Sequence, residues 1–159
     1  MKILWAPWRA SYVEKPGENC IFCEKIRENR DGENLIVLRG QRGFIMLNRY
    51  PYNTGHLMIA PYRHVADMED LAEDEAMEIF KLLMESIKAL KKTFKPDGFN
   101  IGVNLGRVAG AGVEGHVHFH VVPRWLGDTN FMPVTANTKV MPISLEEVYE
   151  RVRRSIKLC

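Results

Sequence analysis

No segment of this chain is apolar over the ~20 residues that a membrane-spanning helix needs, and no repeat or low-complexity tract interrupts it. Pro7 and Arg9 break any apolar run after Met1, so no secretory leader is expected and the expected location is the cytoplasm. Charge of neither sign dominates: 22 Lys and Arg stand against 20 Asp and Glu, a formal net charge of +2. That balance argues against a nucleic-acid or membrane partner, so a phosphate would have to be held by local geometry. Cysteine is scarce: Cys20 and Cys23 form a CxxC pair and Cys159 is terminal. Such a set makes no disulfide framework, and there is no second CxxC to complete a four-thiolate metal site. What is present is ordinary for a globular domain, 46% hydrophobic and 26% charged over 159 residues, and suits one domain with a real core.

Periodicity orders the elements. Residues 1–19 form an N-terminal arm carrying Trp5 and Trp8, aromatics that suggest packing onto the body. Cys20 to Arg30 suits a short helix, and Leu35 to Leu38 with Phe44 to Leu47 read as a hairpin around Gly40 and Gly43. His56 to Ala60 is a further strand. From Glu73 to Phe94, Met77, Phe80, Leu83, Met84, Ile87, Leu90 and Phe94 recur at helical spacing and predict a long core-packing helix. Phe99 to Leu105 is a strand, followed by the glycine-rich loop Gly106 to Gly115. Residues 125–142 read as irregular, and Ser144 with Glu147 forms a capping box that opens a last helix over 144–159. The expected fold is α+β, a single domain with an antiparallel sheet of about five strands and one long helix on a face.

The most informative run is His116-Val117-His118-Phe119-His120-Val121-Val122-Pro123-Arg124. Strand alternation sends Val117, Phe119 and Val121 to a core and sets the imidazoles in a row on the other face, ~7 Å apart. Such a row can ligate a catalytic metal or perform covalent phosphoryl chemistry with an imidazole nucleophile. The preceding loop favours the second use. Its glycines, Gly110 and Gly112 among them, can turn backbone N–H groups toward an anion, and Asn104 can add a donor. His56 reads equally well as a hydrogen-bonded core residue.

The CxxC pair is half a zinc site, a redox pair or two plain thiols. No strand precedes Cys20 as redox motifs of this type require, so zinc is preferred. His64 and His116 are then the available partners for a structural Cys2His2 site, which leaves His118 and His120 for chemistry.

Taken together, Cys20 to Arg124 resembles the histidine triad (HIT) superfamily, with Asn48-Arg49-Tyr50-Pro51, Gly55-His56 and the His116 to Arg124 signature in the expected order. Trp5-Ala6-Pro7-Trp8-Arg9, Val108 to Gly112 and the segment after Arg124 look like the branch of bacterial diadenosine tetraphosphate phosphorylases. One departure is plain. Many hydrolases of the family carry Gly-Gln-Ser or Gly-Gln-Thr in the loop, where Gly112-Val113-Glu114 stands nearby here.

The resemblance implies that His118 attacks the α-phosphorus of a nucleotide and forms a nucleotidyl-histidine. His120, Asn104 and the loop amides would hold the non-bridging oxygens. Asn48 would contact the ribose hydroxyls, and Phe22 and Leu47 would wall an apolar base slot. Cys20, Cys23, His64 and His116 would bind a structural zinc outside the chemistry. Lys139 and Arg124 could form a second anion site for orthophosphate, which would make the enzyme a phosphorylase acting on diadenosine tetraphosphate. Water as acceptor would make it a dinucleoside polyphosphate or phosphoramidate hydrolase. A zinc hydrolase and a non-catalytic nucleotide-binding module are the other classes. The resemblance also implies at least a homodimer, paired through the long helix and edge strands.

Overall fold

Five apolar runs become five strands. The computed structural model describes residues 20–136 and 138–156; the aromatic N-terminal arm and Cys159 lie outside the described residues. In chain order the elements are α1 (Ile21–Glu28), α2 (Asp31–Asn34), β1 (Ile36–Arg39), β2 (Gly43–Leu47), β3 (Leu57–Pro61), α3 (Glu73–Phe94), β4 (Gly98–Val103), β5 (Phe119–Arg124), α4 (Met132–Thr135) and α5 (Leu145–Ser155). The sheet is antiparallel in the order β1-β2-β3-β5-β4.

Alternation in β2 and β3 builds two cores, one on each face of the sheet. Ile45, Leu47, Leu57 and Ile59, with Val121 of β5, join α3 and α5 in the larger one. Phe44, Met46, Met58 and Ala60 face the other way, under Phe22 of α1. Met58 stands opposite His120 in the β3–β5 register, so the catalytic candidates share the α1 face of the sheet.

Two sequence expectations are corrected. The histidine strand starts at Phe119, three residues late, because the Val117 N–H donates to the Val65 carbonyl (2.7 Å) and not to a neighbouring strand. α3 keeps its predicted bounds, and of its predicted stripe Leu83 and Leu90 are buried and Ile87 and Phe94 pack against the core, but Ile79, Leu82, Ser86 and Ala89 fill the rest of the buried face. Met77, Phe80 and Met84 point outward, Phe80 with 60% of its surface exposed. A helix apolar on two sides satisfies a three-four spacing twice, and periodicity alone does not choose between the faces.

The last helix opens as expected, with Ser144 Oγ accepting from the Glu147 N–H (3.2 Å), and ends at Ser155. Among the described residues no helix is long and apolar enough to cross a membrane.

Candidate active site

Hydrogen bonds to the backbone fix the proton of each ring. His118 Nδ1 lies 2.8 Å from the His116 carbonyl, which can only accept, so Nδ1 carries the proton and Nε2 keeps its lone pair. Burial lowers the His118 pKa, partly offset by that hydrogen bond, and holds the ring neutral. A second chain starts at the Tyr52 N–H, which donates to His56 Nδ1 (3.1 Å). His56 Nε2 therefore carries the proton and donates to His120 Nδ1 (2.9 Å). That leaves the proton of a neutral His120 on Nε2. The row of like residues thus contains a lone pair on His118 Nε2 beside a donor on His120, with ring centroids 4.9 Å apart.

Both rings border a cavity of about 220 Å³ with Met58 beside them. α1 contributes Ile21 and Lys25, one helical turn apart. The segment after β2 contributes Asn48, Arg49, Tyr50 and Tyr52, and the loop contributes Gly110 and Gly112. Gly110 has φ +93°, a conformation that L side chains rarely adopt, so its place in the wall calls for glycine. Asn48 Oδ1 accepts from the Tyr50 N–H (2.9 Å), which fixes that side chain at the cavity edge.

The remaining sequence candidates lie elsewhere. Asn104 is half-buried, and its amide braces the loop at the Gly110 carbonyl (3.5 Å). Phe22 is buried beneath the site, its ring 4.9 Å from His118. Leu47 does not wall a base slot: its side chain points to the α3 core on the opposite face. Arg124 and Lys139 do not border the cavity. Arg124 is held by Asp128 (2.6 Å) and Asn100 (2.7 Å), and Lys139 donates to the Tyr52 carbonyl (2.5 Å).

Sequence reasoning undervalued His56 and overlooked Lys25, Arg49 and Tyr52. Two of these carried a signal. His56 alternates with Met58, so it shares the face that the register gives to His120. Lys25 follows Ile21 by four residues and therefore shares its helix face.

Beside the cavity, the ligand atoms of Cys20, Cys23, His64 and His116 all lie within 4.8 Å of one another. His116 Nε2–H donates to the Pro61 carbonyl (2.9 Å), so its Nδ1 lone pair faces Cys20 Sγ (3.2 Å) and Cys23 Sγ (3.7 Å). Burial pushes His116 down to about 4, and a neutral imidazole is the form that binds metal. His64 Nδ1 stands 3.6 Å from Cys23 Sγ. Gly115 permits this approach, since a Cβ there would sit 3.2 Å from His64 Nε2. Burial and the adjacent Cys20 raise the Cys23 thiol, a cost that a bound cation removes. Arg63, just before His64, is tied to Glu75 at the start of α3 (2.7 and 3.0 Å). The donor set suits a soft, tetrahedral divalent ion.

Comparison with known proteins agrees with this fold. The chain is 39% identical to the AP-4-A phosphorylase of Mycobacterium tuberculosis (strain H37Rv) over 153 residues, which cover 91% of this chain and 78% of that one. A HIT-like protein of Bartonella henselae superposes with a TM-score of 0.71 at 23% identity, over 88% of this chain and 98% of that one. A Zn-bound histidine triad family protein of Mycobacterium smegmatis superposes with a TM-score of 0.69 at 23% identity, over 86% and 92%. The HIT domain profile matches residues 29–125, and the chain belongs to the HIT family.

Proposed function

We propose that the protein is a nucleotidyltransferase that splits diadenosine tetraphosphate with orthophosphate, giving ATP and ADP through a nucleotidyl-histidine on His118. The observation that carries this reading is the pair of fixed protons: a lone pair on His118 Nε2 beside a donor on His120, at a cavity bordered by glycines. The 39% identity to an AP-4-A phosphorylase supports the choice of substrate.

In this mechanism His118 Nε2 attacks the α-phosphorus and forms an N–P bond while the bond to the bridging oxygen breaks and ATP leaves. The ring becomes a phosphorylated imidazolium whose Nδ1–H remains on the His116 carbonyl. Orthophosphate then attacks the same phosphorus, the N–P bond breaks, and ADP departs. His120 Nε2–H and the loop amide of Gly112 stabilise charge on the non-bridging oxygens, while the Gly110 N–H caps the preceding turn at the Arg107 carbonyl (2.9 Å). Asn48, its amide oxygen already engaged, offers NH₂ donors to the ribose hydroxyls. Ile21 and Met58 supply the apolar surface for the base. Cys20, Cys23, His64 and His116 hold a structural zinc, which cross-links the fold and takes no part in the reaction. The protein works in the cytoplasm as at least a dimer, the outward stripe of α3 and the exposed edge of β4 supplying the contact.

The test is product analysis with and without orthophosphate, together with mass spectrometry of the quenched enzyme. The expected result is ADP plus ATP, accelerated by phosphate, and an acid-labile nucleotidyl adduct on His118. ATP plus AMP regardless of phosphate would make the enzyme a hydrolase instead. Lack of any adduct would remove the covalent mechanism.

A further inference from the structure

A transferase of this kind has to hold a phosphate group besides the one under attack, and the structure offers a place for it that Arg124 and Lys139 do not. We propose that Lys25 and Arg49 form a second phosphate site within the His118 cavity, taking either the distal phosphate of the polyphosphate chain or the acceptor orthophosphate. The proposal rests on the nucleotidyl-transfer reading above and deepens it.

Lys25 comes from α1 and Arg49 from the residue after Asn48, so the two cations reach one cavity from different elements. None of the described residues that border this cavity is acidic. The opposing charge that acts on Lys25, Glu28, is already engaged by Asn34 Nδ2 (2.7 Å) and Arg30 (3.3 Å). Arg49 donates through Nη2 to the Glu33 carbonyl (3.1 Å), one bond of a guanidinium that has five N–H groups. That contact steadies the side chain and leaves most of the fork for a ligand.

Such a pair is unfavourable without an anion. A phosphate between the two would balance their charges, and its tetrahedral oxygens match an ammonium and a guanidinium together. Arg124 provides the contrast: its guanidinium has its own carboxylate in Asp128, so it has little left for a ligand.

Three assays on Lys25→Met and Arg49→Gln test the proposal. The first follows phosphorolysis against orthophosphate concentration. The second follows single-turnover adduct formation on His118 against dinucleotide concentration. The third follows adduct formation from an adenosine phosphoramidate, which has neither a distal phosphate nor need of an acceptor. A rise of about tenfold or more in the KM for orthophosphate, with the other two assays unchanged, supports the acceptor form of the site. A similar rise for the dinucleotide alone, with the phosphoramidate unchanged, supports the distal-phosphate form. Lys25→Arg should restore the KM that Lys25→Met loses. Equal impairment in all three assays, or none in any, overturns the proposal. Arg49→Gln lies outside α1, so it keeps the test valid if Lys25→Met disturbs that helix. Failure of the wild-type enzyme to form any adduct would refute the nucleotidyl-transfer reading itself. Adduct formation with unaltered KM values in both variants would refute only the second site.

Discussion

At the scale of single residues, the site depends on which nitrogen of each ring bears a proton. His118→Ala should lower turnover by ~10³-fold or more, because a nucleophile is not replaced by its surroundings. The circular dichroism spectrum should stay native and the nucleotidyl adduct should vanish; a variant that still forms the adduct would assign the nucleophile elsewhere. His56 does not border the cavity but touches Tyr52 and His120, which do, so a positioning role is expected of it. Replacing it with Leu removes the donor that fixes the His120 tautomer and should lower kcat by about 10–100-fold with little change in KM. His56→Gln can accept from the Tyr52 N–H and still donate to His120, so it should recover much of that loss. Equal kcat values for the Leu and Gln variants would mean that His56 serves packing alone. The histidine spacing made His118 and His120 legible from sequence, since alternation alone aligns them. The proton assignments were not legible, because they depend on carbonyls and amides contributed by turns.

At the scale of elements, the sequence spelled out type and order well and relative placement less well. The helix from about Glu73 to Phe94 was readable because its apolar residues recur at helical spacing and Pro96-Asp97-Gly98 stops it; in the structure Lys95 closes it at φ +48°. Its buried stripe was readable only in part, because Met77, Phe80 and Met84 compete with Ile79, Leu82 and Ser86 at equivalent spacings. The start of β5 escaped prediction because the partner of the Val117 N–H, Val65, is remote in sequence. Leu47 was misplaced for a related reason: a one-residue step along a strand changes the face. The outward stripe leads to a prediction at this scale. Phe80→Glu should convert the expected dimer to monomer in sedimentation velocity and leave the monomer folded, because that side chain contributes little to the single-chain core. An unchanged sedimentation coefficient would move the interface away from α3.

At the scale of the whole molecule, two clips join segments that secondary structure does not connect. One is Asp128, which binds Arg124 (2.6 Å) and Asn53 Nδ2 (2.8 Å) and so ties the segment after β5 to the loop before β3. The Arg124 hydrogen bond and charge hold the Asp128 carboxyl down at about 2. A depressed carboxyl stabilises the fold above its ordinary pKa, and that contribution is lost as pH falls from about 4 toward 2. Because Arg124 is half exposed, screening limits the contribution to about 1 kcal/mol. Asp128→Asn should lower stability at neutral pH by that amount and flatten the acid limb of the denaturation curve; parallel curves for the two proteins would contradict the assignment.

The other clip is the Cys20, Cys23, His64 and His116 cluster, which gathers the start of α1, the turn after β3 and the residue two before His118. Metal bound there would hold α1 against the sheet and, through the His116 carbonyl, keep the proton of His118 on Nδ1. Removal of the metal by a strong chelator should therefore lower the melting temperature by roughly 10 °C, the size expected for losing a few kcal/mol in a chain of this length. Zinc should restore it with about one ion per chain, and Cys20→Ser with Cys23→Ser should bind none. Activity should fall less steeply than stability below the new melting temperature, because the ion orients the nucleophile without touching the phosphate. A melt insensitive to chelation, with no metal in the purified protein, would reduce the cluster to packed thiols and imidazoles. Loss of all activity in a chelated protein that remains folded would instead favour a metal hydrolase.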